Sequence, residues 1–188
     1  VFEFEDLPAK AVVVLRGDPN ALRVRAVAER MHVAIIELLP SATEAGWFEL
    51  AAVSVLSAVS APSATRDDVC LVLHTSGTTN KPKLVPLTHA NVATGALCIA
   101  STLQLRAAPH GDISLNVMPL FHIHGLSINV LASLLSGATV IASPGFDPDA
   151  FFTWAGTSIE PPTWYSAVPT MHLRVLQTAE ERYASHGV

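Results

Sequence analysis

Positive charge is scarce in this chain. Eleven Lys and Arg stand against sixteen Asp and Glu, for a net charge of −5 over 188 residues. That balance excludes the basic footprint by which proteins hold long polyanions, so no nucleic-acid partner is expected. Cysteine is nearly missing. Cys70 and Cys98 are the only two, they form no metal or redox spacing, and two do not make a disulfide scaffold in a chain this long. Both are expected to be buried thiols in a reducing compartment. The N-terminus, Val1-Phe2-Glu3-Phe4, has neither a methionine nor a basic region. No secretory signal is visible, and the start reads as a cut into the middle of a longer chain. No repeat is visible either.

Charge of either sign is missing from Ile113 to Phe146. A membrane span would need about 20 predominantly apolar residues. Asn116, Pro119, His122, His124, Gly125, Asn129, Gly137 and Pro144 interrupt every such window. A buried helix followed by a buried strand is the expectation, with no membrane span. Half of the residues are hydrophobic, which argues against disorder and supplies a real core.

What is present is concentrated in one stretch. Thr75-Ser76-Gly77-Thr78-Thr79-Asn80-Lys81-Pro82-Lys83 gathers hydroxyls, a glycine and two lysines between the apolar runs Val69–Leu73 and Leu84–Leu87. Glycine lets a backbone approach closely. Backbone N–H groups and hydroxyls donate to phosphate oxygens, and lysine adds a compact positive charge. On an acidic background that cluster suits a small polyphosphate. A Walker A loop requires a second glycine at a fixed spacing, then Lys and Ser or Thr; here that position is Pro82, and Lys83 is followed by Leu84. An ordinary polar turn between strands draws on the same residue types, though it does not need them all at once. No G-x-S-x-G elbow occurs, so serine hydrolase chemistry has no anchor.

In chain order, Ala11–Leu15 reads as a buried strand. Gly17-Asp18-Pro19 is a turn, and Asn20 an N-cap. Val24, Val27, Ala28 and Met31 form the stripe of an amphipathic helix over Ala21–Met31. Val33–Leu38 is the next strand, so a βαβ unit and a parallel sheet follow. Trp47–Ser57 reads as a short helix leading into a surface connection. Val69–His74 is a strand delivering the polar loop, and Leu84–Leu87, holding Pro86, suits an edge strand. Thr88 caps a helix over His89–Leu103. Asp112–Met118 is a buried strand, Leu126–Ser136 a helix closed by Gly137, and Ala138–Ala142 a strand. Asp147–Ala155 is a helix with aspartates at its N-terminal end. Thr163–Ala167 is a strand, and Pro169 opens the last helix. The fold class is α/β: βαβ layers with a largely parallel sheet flanked by helices.

The nonapeptide TSGTTNKPK resembles the phosphate-loop signature of the adenylate-forming superfamily, which comprises acyl-CoA synthetases, luciferases and the adenylation domains of peptide synthetases. The usual form is TSGTTGxPKGV, so Asn80 and Leu84 depart from it. Met118–Leu126 (MPLFHIHGL) resembles the superfamily's next motif, and Trp164–Met171 (WYSAVPTM) a third. Together they look most like the small-acid, oxalate–CoA ligase-like branch. The resemblance implies that Thr75, Ser76, Gly77, Thr78, Thr79, Asn80 and Lys83 hold ATP phosphates. It implies that His122 sits at the acyl pocket near the thiol's entry route as the catalytic candidate. Phe121, His122, Gly125, Ser166, Ala167, Val168 and Pro169 would line the site of a small carboxylic acid. ATP, Mg²⁺ and coenzyme A are the implied cofactors, with a cytoplasmic or peroxisomal location.

From the residues alone, His122 reads equally as a packed loop histidine. His122 and His124 form an H-x-H pair, but a metal site needs further ligands and none lies nearby in sequence, so no metal site is assigned. The family's downstream Thr-Glu, Thr-Gly-Asp and C-terminal lysine are not found. Residues 1–188 therefore read as part of an adenylate-forming N-terminal domain without its C-terminal lid, a piece of an acyl-CoA synthetase that does not turn over alone. The alternatives are an inactive nucleotide- or acyl-binding fragment and a peptide-synthetase adenylation domain.

Overall fold

A computed structural model describes residues 7–44, 46–53, 63–75, 83–156 and 160–185. The chain divides into two compact units, Val1–Pro62 and Ser63–Val188. The first holds the expected βαβ unit: β1 (Ala11–Leu15), α1 (Ala21–Arg30) and β2 (Ala34–Pro40), with β1 and β2 parallel. Ala21 and Ala28 of α1 pack on Val14 and Ile35, sealed by Val12, Val24 and Val33. Glu37 ties the layers together. It accepts from Arg16 Nε at 2.6 Å and from Arg25, and these guanidiniums, Arg16 foremost, hold its carboxyl below the usual carboxylate range.

Two local expectations fail here. Asn20 makes no side-chain cap; instead Asp18 Oδ1 accepts from Asn20 N at 2.9 Å and Asn20 Nδ2 at 3.1 Å, an Asx turn that competes for the same backbone. The helix read over Trp47–Ser57 is a strand, β3 (Phe48–Ala52), antiparallel to β2. Ser41 Oγ accepts from Thr43 N and Glu44 N, Gly46 adopts φ +83, and Ser41 N donates to Trp47 O at 2.8 Å. That turn returns the chain onto β2's free edge, and edge pairing overrides the helix propensity of the Ala-rich stretch.

The second unit begins with the hairpin β4 (Val69–Thr75) and β5 (Lys83–Thr88), followed by α2 (His89–Leu103). Thr88 is the cap expected: its hydroxyl accepts from Asn91 N while Asn91 Oδ1 accepts from Thr88 N, both at 3.1 Å, a reciprocal capping box. A parallel sheet follows in the order β7-β6-β8, from β6 (Ile113–Asn116), β7 (Thr139–Ala142) and β8 (Trp164–Tyr165). All of β6 is buried, which accounts for the lack of charge at the start of the charge-free stretch. Leu115, Val117, Met118, Phe151 and Ala167 form the core on one side. α4 (Pro148–Gly156) starts at Asp147, whose Oδ1 accepts from Asp149 N and Ala150 N at 2.9 Å. α5 (Pro169–Ser185) opens on its proline. Among the described residues no helix is long and apolar enough to cross a membrane.

Three expectations are corrected in this unit. The helix read over Leu126–Ser136 begins at His124, is π-wound through Leu131, and becomes an α-helix, α3, only over Ala132–Leu135. Its end is as expected: Gly137 at φ +77 donates to Leu134 O and Ala138 to Ser133 O, the paired bonds of a Schellman motif. The strand read over Thr163–Ala167 pairs only at Trp164–Tyr165, because side chains take the carbonyls of Ser166 and Ala167. Both cysteines are exposed rather than buried. α2 buries Ala96 and Ala100, which leaves Cys98 off the buried row, and Cys70 sits at the register shift between Val69 and Leu71.

Asp112 closes the loop between α2 and β6. Its carboxylate accepts from Arg106 N at 2.8 Å, Arg106 Nε at 3.2 Å and Thr163 Oγ1 at 3.0 Å, joining the N-terminal ends of β6 and β8. The hydrogen-bonded Arg106 guanidinium holds its carboxyl below the usual range. A carboxyl lowered by folding adds stability above its unfolded pKa of about 3.9, and that stability is lost as pH falls through the lowered value. Asp112→Asn is expected to drop the thermal midpoint by several degrees at neutral pH and by much less in acid, as pH-resolved melting would show.

Candidate functional site

The polar loop joins two strands, as expected of it. Thr75 is the Cα partner of Lys83, His74 of Leu84 and Leu73 of Val85. Ser76, Gly77, Thr78, Thr79 and Asn80 lie outside the described residues; the two posts of the loop, Thr75 and Lys83, lie within them. Strand residues alternate between faces. Leu73, Thr75, Val85 and Leu87 share one face, and with His74 they line a cavity of about 400 Å³ whose other wall is Phe121, His122 and Ile123. Lys83 continues that row. Leu84 belongs to the opposite row with His74, but unlike His74 the side chain standing where glycine is usual in the resembled signature is not among those lining the cavity.

The second motif meets the hairpin at Phe121 and His122, both exposed. His122 N donates to Pro119 O at 3.2 Å, and His124 N donates to His122 Nδ1 at 3.2 Å. An accepting Nδ1 puts the proton of the neutral ring on Nε2, so His122 presents one N–H donor. Gly125 is buried against the Met118-Pro119 backbone. His124 turns the other way, into the protein. Its Nε2 lies 2.7 Å from Ser166 Oγ. Burial, and next the neighbouring His122 and His172, push its pKa below the ordinary histidine value.

The third motif is fixed by side chains. Asn129 Nδ2 donates to Ser166 O at 3.0 Å and to Asn116 Oδ1 at 2.9 Å. His172 Nε2 donates to Ala167 O at 3.0 Å, which leaves its Nδ1 to accept from the Tyr165 hydroxyl at 2.9 Å. Ala167 is buried, Val168 half-buried, and Val168 O accepts from Met171 N at 2.9 Å just past Pro169. The structure thus brings Thr75, Phe121 and His122 around one cavity, with Lys83 as the cross-strand partner of Thr75, and joins Ser166 to the second motif through His124. Sequence reasoning weighed His124 only as half of a metal pair and passed over Asn116, Asn129, Tyr165 and His172. An asparagine inside a charge-free apolar helix was the available signal for Asn129. Among the described residues no group of three or more potential ligands could hold a metal ion. Among the described residues no carboxylate lines the cavity.

A family model described as AMP-binding enzyme matches residues 3–187. The oxalate–CoA ligase of Arabidopsis thaliana is 42% identical over 120 residues, covering 64% of this chain and 22% of that protein. The oxalate–CoA ligase of Saccharomyces cerevisiae is 42% identical over 113 residues, covering 60% and 20%. The chain therefore spans about a fifth of the length of these relatives. Among solved structures, ATP-bound MatB from Rhodopseudomonas palustris superposes with a TM-score of 0.69 at 26% identity, covering 94% of this chain and 33% of that one. MenE from Bacillus subtilis, in complex with its acyl-adenylate intermediate, gives 0.66 at 26% identity, covering 94% and 32%.

Proposed function

The chain belongs to the AMP-binding enzyme family, and from that premise we propose that it carries the phosphate-holding and acid-holding segments of an ATP-dependent carboxylate–CoA ligase. One observation carries the reading: Thr75, the first post of the phosphate loop, and the His122 segment face each other across a single cavity. Residues 1–188 are then part of an adenylate-forming N-terminal domain. The relatives named for oxalate favour a short carboxylic acid as substrate.

In this reaction a carboxylate oxygen bonds the α-phosphorus of ATP, the bond to the β-phosphate oxygen breaks, and pyrophosphate leaves. The sulfur of coenzyme A then bonds the acyl carbon and AMP departs. Lys83 and Thr75 would supply a cation and a hydroxyl at the mouth of the loop, where charge gathers on the leaving pyrophosphate. His122 Nε2–H is placed to donate toward the acid or its adenylate at the cavity wall. Ser166, Ala167, Val168 and Pro169 form the acid's side of the site. Mg²⁺ is expected to accompany ATP, but the described residues of this cavity offer it no carboxylate, and no step is assigned through it.

The test is differential nucleotide binding by the 188-residue chain. A loop that holds β- and γ-phosphates binds ATP or pyrophosphate at least about tenfold more tightly than AMP, a difference of roughly 1.4 kcal/mol. Equal affinity for ATP and AMP in calorimetry would overturn the assignment of the loop. Phe121→Ala tests the other wall: its ring is 84% exposed, so stability is expected to stay within about 0.5 kcal/mol while binding of an acyl-adenylate analogue weakens.

A further inference from the structure

Ser166 is held from two directions by one helix. His124 takes its side-chain oxygen and Asn129 its carbonyl. The two residues are five apart in the π-wound segment His124–Leu131. In an α-helix, positions five apart point about 140° away from each other and would not close on one residue. A π-turn bonds residue i to i+5 and draws those two positions into a single turn. The winding expected from sequence would have failed to make this grip.

We propose that the π-helix is a two-point clamp on Ser166, and that Asn129 is a positioning residue that sets the acid-binding segment against the His122 segment. The proposal rests on reading Ser166 as part of the acid site. Asn129 is fully buried, and so is its anchor Asn116, with 3% exposure. Asn116 Nδ2 donates to Met118 O at 3.1 Å, and its Oδ1 accepts from Met118 N at 3.2 Å, so the asparagine pair also fixes the start of the second motif. Ser133 Oγ donates to Asn129 O at 2.8 Å one α-turn later, where α3 resumes ordinary winding. The clamp thus joins the end of β6, the second motif and the third motif through a single side-chain amide. Two donors are required of it at once, one for Asn116 and one for Ser166. Asparagine supplies both; aspartate supplies neither at neutral pH, and leucine neither at any pH.

The test uses the 188-residue chain labelled with ¹⁵N in histidine and asparagine side chains. Asn129→Leu keeps the branched outline of the side chain, though it is bulkier, and removes both donors. With Ser166 released, water reaches His124, and its titration midpoint is expected to rise toward the ordinary histidine value of about 6.5. Ser133→Ala removes a neighbouring buried hydrogen bond on the same helix and serves as the control; it is expected to lower stability while leaving the His124 midpoint where it was. If Asn129→Leu lowers stability but leaves that midpoint unmoved, Asn129 is only a packing residue and the proposal fails. Should Asn129→Leu not fold, the wild-type chain still decides: the clamp requires both Asn129 Nδ2 protons to exchange slowly and to show contacts with Ser166, and fast exchange overturns it. Failure of the acid-site reading looks different. The clamp would then pass these tests while no acyl-adenylate analogue perturbs Ser166.

Discussion

Gly125→Ala is expected to lower the thermal midpoint by about 10 °C, the fall that corresponds to roughly 3 kcal/mol in a unit of this size. The argument is geometric. A Cβ on Gly125 would lie 2.5 Å from Pro119 O and 3.0 Å from both Met118 Cβ and Met118 O. Overpacking in a well-filled interior costs about 1–3 kcal/mol when neighbouring side chains can give way. Here the nearest neighbour is a backbone oxygen, and the backbone around it is pinned. Asn116 bonds both the amide and the carbonyl of Met118, and Pro119 O accepts from His122 N. Relief must therefore come from moving the His122 segment itself. Loss of the His124 to His122 Nδ1 contact should accompany the fall in stability, read as a change in the His122 ring ¹⁵N shifts. A midpoint within about 2 °C of wild type, equivalent to less than 1 kcal/mol, would show that the turn yields to the added methyl group.

What was legible in the sequence was local chemistry. β1 and α2 appear with the bounds expected of them, because their signals lie inside the element: a run of valines, and a threonine cap answered by its own third neighbour. The end of the helix at Gly137 and the start of α4 at Asp147 were legible for the same reason. β3 was not, because its strand state comes from β2's edge and a turn centred on Ser41, and the composition of 47–57 favours a helix when read alone. The winding at His124–Leu131 was not legible either. Hydrophobic period does not separate a π-turn from an α-turn over so short a run, and the bonds that select it lie elsewhere in the chain.

The candidate site divides along the same line. The phosphate-loop posts and the His122 and Ser166 segments were legible because each is a compact motif. Asn129 was not, since its partners lie 13 residues before it and 37 after it, a relation that no window contains. His124 and His122 show how near-identical positions part company. One faces the cavity and the other is drawn into the interior by Ser166, and only the tertiary contact distinguishes them.

Lys83→Ala is expected to weaken ATP binding by about 10- to 100-fold, the range that follows from losing a charge-assisted hydrogen bond of roughly 1.5–3 kcal/mol. Leu84→Gly, one residue on, is expected to leave that affinity within about twofold while costing roughly 0.5–1 kcal/mol of strand stability. The contrast follows from register. Thr75 and Lys83 are cross-strand partners, and Thr75 lines the cavity opposite His122, so Lys83 shares the strand face of a cavity-lining residue. Leu84 pairs with His74 in the other row, and although His74 reaches the cavity, Leu84 is not among the residues that line it. The departure of Leu84 from the usual glycine is then expected to be neutral for phosphate binding and favourable for the hairpin. Calorimetric titration of both variants with Mg·ATP separates the two effects. If Leu84→Gly instead tightens ATP binding tenfold, the leucine is crowding the loop after all, and the two faces of the hairpin have been assigned the wrong way round.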